Sequence, residues 1–182
     1  MNILEIIATI STIICVILSS KQNIFAWPIG IISVLSLIAI YVKSGIYAQI
    51  IVQTISLIQC TIGWYTWGKK DELKISKLPK TTFRANTIFF IGMGSTFALT
   101  HSGQITYWVA FFDGIAASLA LLGNWYLTKK IIQAWQLFMV YNIILIFLFI
   151  HQEIYMLSLL NLVLFFISLN AYITWKKDLK VA

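Results

Sequence analysis

Polar amides inside long apolar runs are the residues of this chain best suited to chemistry. Gln53, Asn124, Asn142 and Asn161 each lie within such a run. An amide in a membrane span costs free energy unless it has a partner or faces water, so such residues predict a functional site. Because amides donate and accept hydrogen bonds at once, they suit a polyhydroxylated or amide-bearing solute. The alternative role of each amide is interhelical bonding, worth about 0.6 kcal/mol.

Tryptophan is the second chemically distinctive residue type. Indole rings stack on flat rings and attract cationic ones by about 0.5–2 kcal/mol. Trp64 and Trp67 continue a helical face that contains Gln49, Gln53, Ser56 and Cys60 at steps of three and four. The predicted substrate-binding residues are therefore Gln53, Trp64, Trp67, Asn124, Asn142 and Asn161. For Trp27, Trp67, Trp135 and Trp175, near helix ends, we favour anchoring at the membrane interface.

Three further helical faces complete the predicted cavity. They are Asp113–Ala117–Ala120–Asn124, Trp135–Phe138–Asn142 and Ser158–Asn161–Phe165–Ser168–Tyr172. Gln53 and Asn161 occupy equivalent positions in two halves of the chain, so we expect their amides to face each other. Asp113 lies near the outer end of its run, where it is either solvated or paired with an amide, and its role stays open.

The composition requires a membrane around these residues. Hydrophobic residues make up 60% of the 182 and charged residues only 10%, far from the roughly 25% charged of soluble domains. Seven apolar runs are long enough to be predicted spans. They cover about 3–20, 24–42, 47–67, 85–100, 107–128, 131–150 and 154–175. The first run has no basic start and no small-residue cleavage site, so we interpret it as a span rather than a signal peptide.

The chain repeats itself at an offset of 108 residues. Trp27 then aligns with Trp135, Tyr47 with Tyr155, and Trp67 with Trp175, without a gap. Repeats within a membrane protein are typical of transporters. We therefore predict a first three-helix repeat over 1–67, a cytoplasmic loop and linker helix over 68–106, and a second three-helix repeat over 107–182.

Lysine and arginine set the predicted orientation. Twelve of the 13 basic residues lie in segments on one side, and only Lys43 lies on the other. The positive-inside rule then places the N-terminus outside and the C-terminus in the cytoplasm. This distribution explains the charge of +7 as a topology signal, so we predict no nucleic-acid partner. One extra crossing between the repeats makes them parallel, in a 3+1+3 arrangement.

The motifs that the sequence lacks narrow the mechanism. It has no phosphate-binding loop, no chain of buried ionisable residues, no clustered metal ligands and no catalytic constellation. We therefore expect an uncoupled facilitator without enzymatic activity, metal or cofactor. A vitamin-capturing subunit of a larger ATP-driven transporter and a non-transporting membrane scaffold are the alternatives from other classes.

Several stretches resemble the PnuC family of bacterial vitamin transporters. They are Trp27-Pro28-Ile29-Gly30-Ile31, Gly45-Ile46-Tyr47, Gly63-Trp64-Tyr65-Thr66-Trp67, Lys129-Lys130-Ile131-Ile132-Gln133-Ala134-Trp135, Tyr155 and Ala171-Tyr172-Ile173-Thr174-Trp175. The resemblance covers nearly the whole chain. It implies a fold similar to full-length SWEET transporters, a homotrimer in the inner membrane, uptake of nicotinamide riboside, and trapping of that substrate by a cytoplasmic kinase.

The sequence departs from the family where the cavity is predicted. Gly123-Asn124-Trp125 stands where Ala-Gln-Trp is usual, and Ala134-Trp135-Gln136-Leu137-Phe138 stands where Asn-Trp-x-x-Trp is usual. Asn161 replaces a tyrosine, and Ala171-Tyr172 replaces Gly-Tyr. Nicotinamide riboside is the first substrate that the resemblance implies, while thiamine, riboflavin and deoxynucleosides remain alternatives. Thiamine is the strongest of these, because its cationic ring suits an aromatic pocket.

Overall fold

The chain folds into seven α-helices within the residues that the computed structural model describes, which are 3–44, 47–69, 73–101 and 107–181. The helices are α1 (Ile3–Ser20), α2 (Ala26–Ser44), α3 (Tyr47–Gly68), α4 (Lys80–His101), α5 (Tyr107–Thr128), α6 (Gln133–His151) and α7 (Tyr155–Val181). An all-helical fold follows from the composition, because helices satisfy every backbone polar group within one segment in a bilayer. The seven predicted helices are confirmed. Gly45 and Ile46 lie outside the residues that the structure describes, and so do the side chains of Tyr47 and Gln49.

Five of these helices are long and apolar enough to cross a membrane, among the residues that could be assessed. They are α1, α2, α5, α6 and α7. The other two, α3 and α4, have 22 residues each, which gives about 33 Å at 1.5 Å per residue. Polar side chains lower their mean hydropathy, for example Gln53 and Gln59 in α3 and Arg84 and Asn86 in α4. Length therefore agrees with all seven predicted spans, and composition agrees with five.

Two helices extend beyond the approximate apolar spans predicted for them. Helix α4 begins at Lys80, five residues before the predicted span, and α7 continues to Val181, past the predicted end at 175. The prediction followed apolar character, whereas a helix extends through Arg84 or Lys176 as long as its backbone bonds are satisfied. Long basic side chains can reach water from the end of a span.

The turns between α1 and α2 and between α5 and α6 have the same geometry. In the first turn, the Asn23 N–H donates to the Leu18 carbonyl at 2.9 Å, and at the positions 108 residues later Ile131 donates to Tyr126 at 2.9 Å. Gln22 and Lys130, also 108 residues apart, both adopt positive φ, of 55° and 49°. The offset found in the sequence therefore coincides with a repeated backbone conformation.

Helix packing follows the same correspondence. Within the first set (α1–α3), α2 packs against both α1 and α3, and within the second set (α5–α7), α6 packs against both α5 and α7. Between the sets, α1 packs against α7 and α3 packs against α5. Exchanging the two sets converts each of these contacts into the other. The arrangement brings the C-terminal parts of α3 and α7 near each other, with the ring centroids of Trp67 and Trp175 6.2 Å apart.

Helix α4 and the segment before it associate with the second set. A Cβ on Gly94 of α4 would overlap the Ser118 side chain and the Gly114 carbonyl of α5, so the two helices are in close contact there. Asn86 of α4 donates to the Tyr126 hydroxyl at 2.9 Å. The linker segment, residues 73–79, forms a parallel bridge between Ser76 and Ile131 in the α5–α6 turn.

Candidate functional site

Four tryptophans form a continuous row at the end of the helix bundle where the α1–α2 and α5–α6 turns lie. Trp27 packs edge-on against Trp67 at 5.2 Å between ring centroids, Trp67 lies 6.2 Å from Trp175, and Trp175 lies 5.4 Å from Trp135. All four are buried, with at most 5% of the side chain exposed. The order Trp27–Trp67–Trp175–Trp135 reads the same when the two sets are exchanged. This tryptophan row therefore lies across the junction between the sets.

Indole hydrogen bonds join the two sets at the centre of the row. Trp67 Nε1 donates to the Leu127 carbonyl at the end of α5 (3.2 Å), and Trp175 Nε1 donates to the Ser20 carbonyl at the end of α1 (2.9 Å). The last carbonyls of a helix have no partner within it, so they are ready acceptors. These bonds correct the preferred interpretation of these tryptophans as interfacial anchors. Their rings lie in the protein interior because they connect helices.

The side of the row that faces the α5–α6 turn is covered by Lys130 and the linker segment. The Lys130 ammonium lies 5.0 Å from the centroid of the Trp67 ring, a cation–π contact. Burial lowers the pKa of this ammonium. Ser76 donates its N–H to the Lys130 carbonyl at 3.0 Å, and the Ser76 carbonyl accepts from Ile132 at 3.0 Å. The linker segment thereby holds the α5–α6 turn against the row.

Asn142 and Asn161, two of the predicted binding residues, are buried. They are 3% and 5% exposed. Each donates to the carbonyl four residues earlier in its own helix, Asn142 to Phe138 at 2.7 Å and Asn161 to Leu157 at 2.8 Å. The Asn142 Oδ1 atom is buried and has no hydrogen-bond partner. Each amide therefore uses an N–H within its own helix, and the enclosed oxygen of Asn142 is left without a partner.

Gln53 and Asn124, two other predicted binding residues, are half-buried. Among the hydrogen bonds of the described residues, none joins Gln53 to Asn161. The expected opposition of these two amides and their role in binding stay predictions. Asp113 is exposed on α5.

Helix α3 turns a different face to the interior than the spacing predicted. Over residues 50–68, for which α3 is described with its side chains, the buried residues are Ser56, Gln59, Gly63 and Trp67, whereas Trp64 is 48% exposed. The reason is Gly63, where a Cβ would overlap the Trp27 ring. Only a glycine lets that indole lie directly on the α3 backbone. The expectation that Trp64 lines the interior is not met in this structure, and its part in binding stays a prediction.

Gln59 is a buried amide that the sequence reasoning missed. It is 8% exposed, and its Nε2 donates to the Leu121 carbonyl of α5 at 3.0 Å. It therefore connects the first set to the second. The signal that could have found it is Gly63 four residues later, because a buried glycine marks the face of close packing.

The residues that pack next to the tryptophan row, around Gly30 and Gly123, differ between the two sets. A Cβ on Gly30 of α2 would meet the sulfurs of Cys15 and Cys60 at 3.2 and 3.4 Å. At the equivalent place in the second set, a Cβ on Gly123 of α5 would meet the Phe138 ring of α6 at 2.7 Å. The large and small partners are thus exchanged between the helices of the two sets. Both arrangements give close packing with different shapes.

Comparisons with known proteins agree on one family. A family described as nicotinamide mononucleotide transporter matches residues 2–177. The nicotinamide riboside transporter PnuC of Escherichia coli (strain K12) is 25% identical over 201 residues, which cover 94% of this chain and 84% of that protein. The protein of the same name in Shigella flexneri has the same identity and coverage. The crystal structure of the vitamin B3 transporter PnuC has a TM-score of 0.77 at 19% identity and covers 97% of this chain and 82% of that one.

Proposed function

We propose that this chain, which belongs to the nicotinamide mononucleotide transporter family, takes up nicotinamide riboside across the inner membrane by facilitated diffusion. The family match over residues 2–177 also confirms the resemblance to PnuC proteins noted in the sequence. Two of the relatives are named nicotinamide riboside transporters. The chain is a multi-pass membrane protein, and in this proposal it binds and releases substrate without an enzymatic step or a cofactor.

The transporting unit is a pair of parallel three-helix repeats with a linker helix between them. We place these units at 1–67 and 107–182, joined by 68–106, in a 3+1+3 arrangement similar to SWEET transporters. The repeated inner turn and the exchangeable helix contacts support this arrangement. A pseudo-two-fold axis along the membrane normal then passes between Trp67 and Trp175, and the substrate pathway follows it.

The proposed orientation has the N-terminus outside and the C-terminus in the cytoplasm. Three lysines, two directly after α3 and α5 and one in the C-terminal part of α7, each lie over the aromatic ring four residues earlier. The pairs are Lys69–Tyr65 at 4.7 Å, Lys129–Trp125 at 4.4 Å and Lys176–Tyr172 at 5.9 Å. Aromatic rings with lysine beside them are typical of the membrane–water interface, and lysine favours the cytoplasmic side.

The tryptophan row carries the proposal of alternating access. It is buried, it crosses the junction between the sets, and it depends on bonds from Trp67 and Trp175 to the opposite set. A row of this kind closes the inner end of the pathway until those two bonds separate. Rocking of one set against the other then opens the cytoplasmic side.

The binding residues that we propose are Gln53, Trp64, Trp67, Asn124, Asn142 and Asn161. Nicotinamide riboside presents a flat cationic ring, a carboxamide and ribose hydroxyls. Indole faces suit the ring, and amides suit the carboxamide and hydroxyls. Burial and an unpartnered oxygen make Asn142 the best supported of the amides.

The partners in this proposal are other copies of the chain, lipids and a cytoplasmic kinase. The PnuC resemblance implies a homotrimer, and the exposed apolar residues of α6 and α7, such as Phe147 and Phe166, suit lipid or a second copy. Phosphorylation by the kinase keeps the substrate inside. Accumulation then needs no ion gradient at the transporter itself.

Thiamine is the second candidate substrate, because the residue at position 138 changes the shape of the predicted pocket. Phe138 stands where the family usually has tryptophan, and its ring packs on Gly123. A smaller aromatic wall on one side alters the shape available to the substrate ring. Riboflavin and deoxynucleosides are the further alternatives within the family.

Uptake by proteoliposomes tests the function. The full chain is reconstituted and given labelled nicotinamide riboside, thiamine or riboflavin, with no ion gradient imposed. We expect nicotinamide riboside to equilibrate across the membrane at a rate well above that of protein-free liposomes. Equilibration of thiamine alone would replace the substrate, and equilibration of none would contradict facilitated transport. A strict requirement for a proton or sodium gradient would contradict the uncoupled mechanism.

A binding series tests the site. Asn142→Ala and Asn161→Ala are expected to lower affinity for the transported substrate by about tenfold each, the loss of one buried hydrogen bond. Thr61→Val, on the exposed face of α3, is the matched control and should leave affinity unchanged. Unchanged affinity in both asparagine variants would show that the site lies elsewhere.

A further inference from the structure

Four buried side-chain atoms of the described residues have no hydrogen-bond partner. They are two indole donors, Trp27 Nε1 and Trp135 Nε1, and two amide acceptors, Gln59 Oε1 and Asn142 Oδ1. Leaving a buried polar atom unsatisfied destabilises the folded state, so such an atom calls for a ligand or another specific explanation. Asn142 belongs to the site proposed above and the indoles belong to the tryptophan row. Gln59 belongs to neither.

The Gln59 amide is held in one orientation. Its Nε2 donates to the Leu121 carbonyl at 3.0 Å. Flipping the amide would direct Oε1 at that carbonyl and place two acceptors against each other, so the hydrogen bond fixes which atom points away. The side chain is more than nine-tenths buried. Oε1 is therefore a preorganised acceptor and not one end of a freely rotating group.

The depth of Gln59 agrees with the middle of the membrane. It is the thirteenth of the 22 residues of α3. Trp67 follows it by eight residues, or about 12 Å along the helix axis. The unpartnered oxygen therefore lies outward of the tryptophan row, near the level where transporters of repeated modules bind substrate.

The second set has no amide at the position equivalent to Gln59. The residue 108 positions after Gln59 is Ile167, which has no polar side-chain atom. Amides at both positions would offer equivalent bonds on the two sides of the axis. A single amide distinguishes the two ends of an asymmetric molecule, because only one orientation gives the bond.

We propose that Gln59 Oε1 accepts a hydrogen bond from an N–H or O–H donor of the transported molecule and thereby selects its orientation. This proposal rests on the proposed transport function. In nicotinamide riboside the donors are the carboxamide NH2 and the ribose hydroxyls. Because Oε1 is enclosed in this structure, the substrate bond requires neighbouring side chains to move aside while Gln59 keeps its bond to Leu121 of the second set. Gln59 is a specificity-determining residue.

A protein–ligand double-mutant cycle tests the bond. Affinities are measured by titration calorimetry on the full chain in detergent, for nicotinamide riboside, nicotinic acid riboside and the 2′- and 3′-deoxy ribosides. The parental chain is expected to bind the analogue that lacks the donor about tenfold more weakly. Gln59→Met, which keeps the length and removes the acceptor, is expected to weaken nicotinamide riboside about tenfold and to abolish that difference. The analogue affected identifies the donor as carboxamide or hydroxyl.

Two further variants keep the result interpretable. Thr61→Val, also on α3, removes a hydroxyl that bonds only to Leu57 of its own helix, and it should change neither affinity nor discrimination. Gln59→Glu, neutral because it is buried, can donate its O–H to the Leu121 carbonyl and keep an acceptor oxygen, so it should retain the discrimination between ligands. If Gln59→Met does not give folded protein, loss of discrimination in Gln59→Glu contradicts the proposal and its retention supports it.

The outcomes separate this proposal from the one on which it rests. If the parental chain binds no riboside but binds thiamine, the assigned substrate is wrong, and the same cycle is run with thiamine analogues lacking the amino or hydroxyl group. If the riboside binds and the losses from Gln59→Met and from the analogues simply multiply, the assigned substrate stands and the role of Gln59 is wrong.

Discussion

Gln22 in the α1–α2 turn and Lys130 in the α5–α6 turn adopt a backbone conformation that glycine adopts more easily. Their φ angles of 55° and 49° lie in the left-handed region, which costs an ordinary residue about 1–2 kcal/mol. Side chains at both positions make contacts that glycine could not. Gln22 donates to the Asp178 carboxylate at 2.9 Å on the surface, and Lys130 lies over the buried Trp67 ring.

Glycine substitutions measure this strain. Gln22→Gly should raise the free energy of unfolding by about 0.5–1 kcal/mol, because relief of strain exceeds the entropy that glycine adds to the unfolded chain. Lys130→Gly should increase the free energy of unfolding by a smaller amount than Gln22→Gly, because it also removes a partly buried cation–π contact worth about 1–2 kcal/mol. Thermal unfolding in detergent compares the two variants. Equal gains would mean that the Lys130–Trp67 contact contributes no more than the exposed Gln22–Asp178 bond.

The indole bonds at the centre of the tryptophan row can be removed while an aromatic ring is kept. Trp67→Phe and Trp175→Phe should each lower the free energy of unfolding by about 1–2 kcal/mol, because the Leu127 and Ser20 carbonyls lose their donors. Trp125→Phe is the control, since Trp125 is 37% exposed outside the row. The midpoints of thermal unfolding of the three variants are compared with that of the parental chain. A comparable loss in the control would show that ring size matters rather than the N–H bonds.

At the scale of the elements, α4 and the linker segment belong to the second set. Gly94 gives α4 its close contact with α5. The Gln133 side chain, 4% exposed, donates to the Leu78 carbonyl at 2.8 Å and accepts from the Leu78 N–H at 3.2 Å. A single amide therefore satisfies both backbone groups of a residue in the linker segment. Phe25, at the equivalent position of the first set, is 64% exposed.

A side chain at Gly94 should separate α4 from α5. Gly94→Leu is expected to lower the free energy of unfolding by about 1–3 kcal/mol or more, because its Cβ overlaps Ser118 and Gly114. Gly92→Leu is the matched control on the same helix, where a Cβ would meet nothing within 4 Å. Thermal unfolding of both variants tests the contact, and equal destabilisation would contradict it.

Replacing Gln133 should release the linker segment. Gln133→Leu removes both bonds to Leu78, so trypsin should cleave faster after Lys74 and Lys77. Gln136→Leu on the same helix, whose amide has one 3.4 Å contact with the Tyr172 hydroxyl, is the control. Time courses of limited proteolysis on purified protein compare the cleavage rates. Unchanged cleavage in Gln133→Leu would mean that the Ser76 backbone bonds hold the segment alone.

The sequence predicted the elements better than their faces. Apolar runs and the offset of 108 located all seven helices, because a bilayer allows few other structures. The face of α3 was not determined, because Ser56–Cys60–Trp64 and Ser56–Gln59–Gly63 both fit a helical period. Packing of Trp27 on Gly63 selects the second series. A contact between residues so far apart in sequence leaves no trace in local spacing.

At the scale of the whole molecule, the two sets are unequal partners. The second set carries α4 and the linker segment in addition to its own three helices, while the first set contacts it through α1–α7 and α3–α5. The bonds across this junction come from side chains such as Gln59, Trp67 and Trp175. In the proposed transport cycle, the first set is therefore the smaller unit, and it moves relative to the larger unit formed by the second set, α4 and the linker segment.

Attachment of the linker segment to Gln133 and the α5–α6 turn makes the covalent join between the two halves dispensable. Residues 1–69 and 73–182, co-expressed as separate polypeptides, should assemble through the same side-chain bonds and co-purify when only one carries an affinity tag. Trp67→Ala in the shorter polypeptide should reduce the recovered partner severalfold. Failure of the unmodified pair to co-purify, with both present in the membrane, would mean that chain continuity itself holds the halves together. If they do assemble, the chain can be handled as a two-component protein with each half labelled independently.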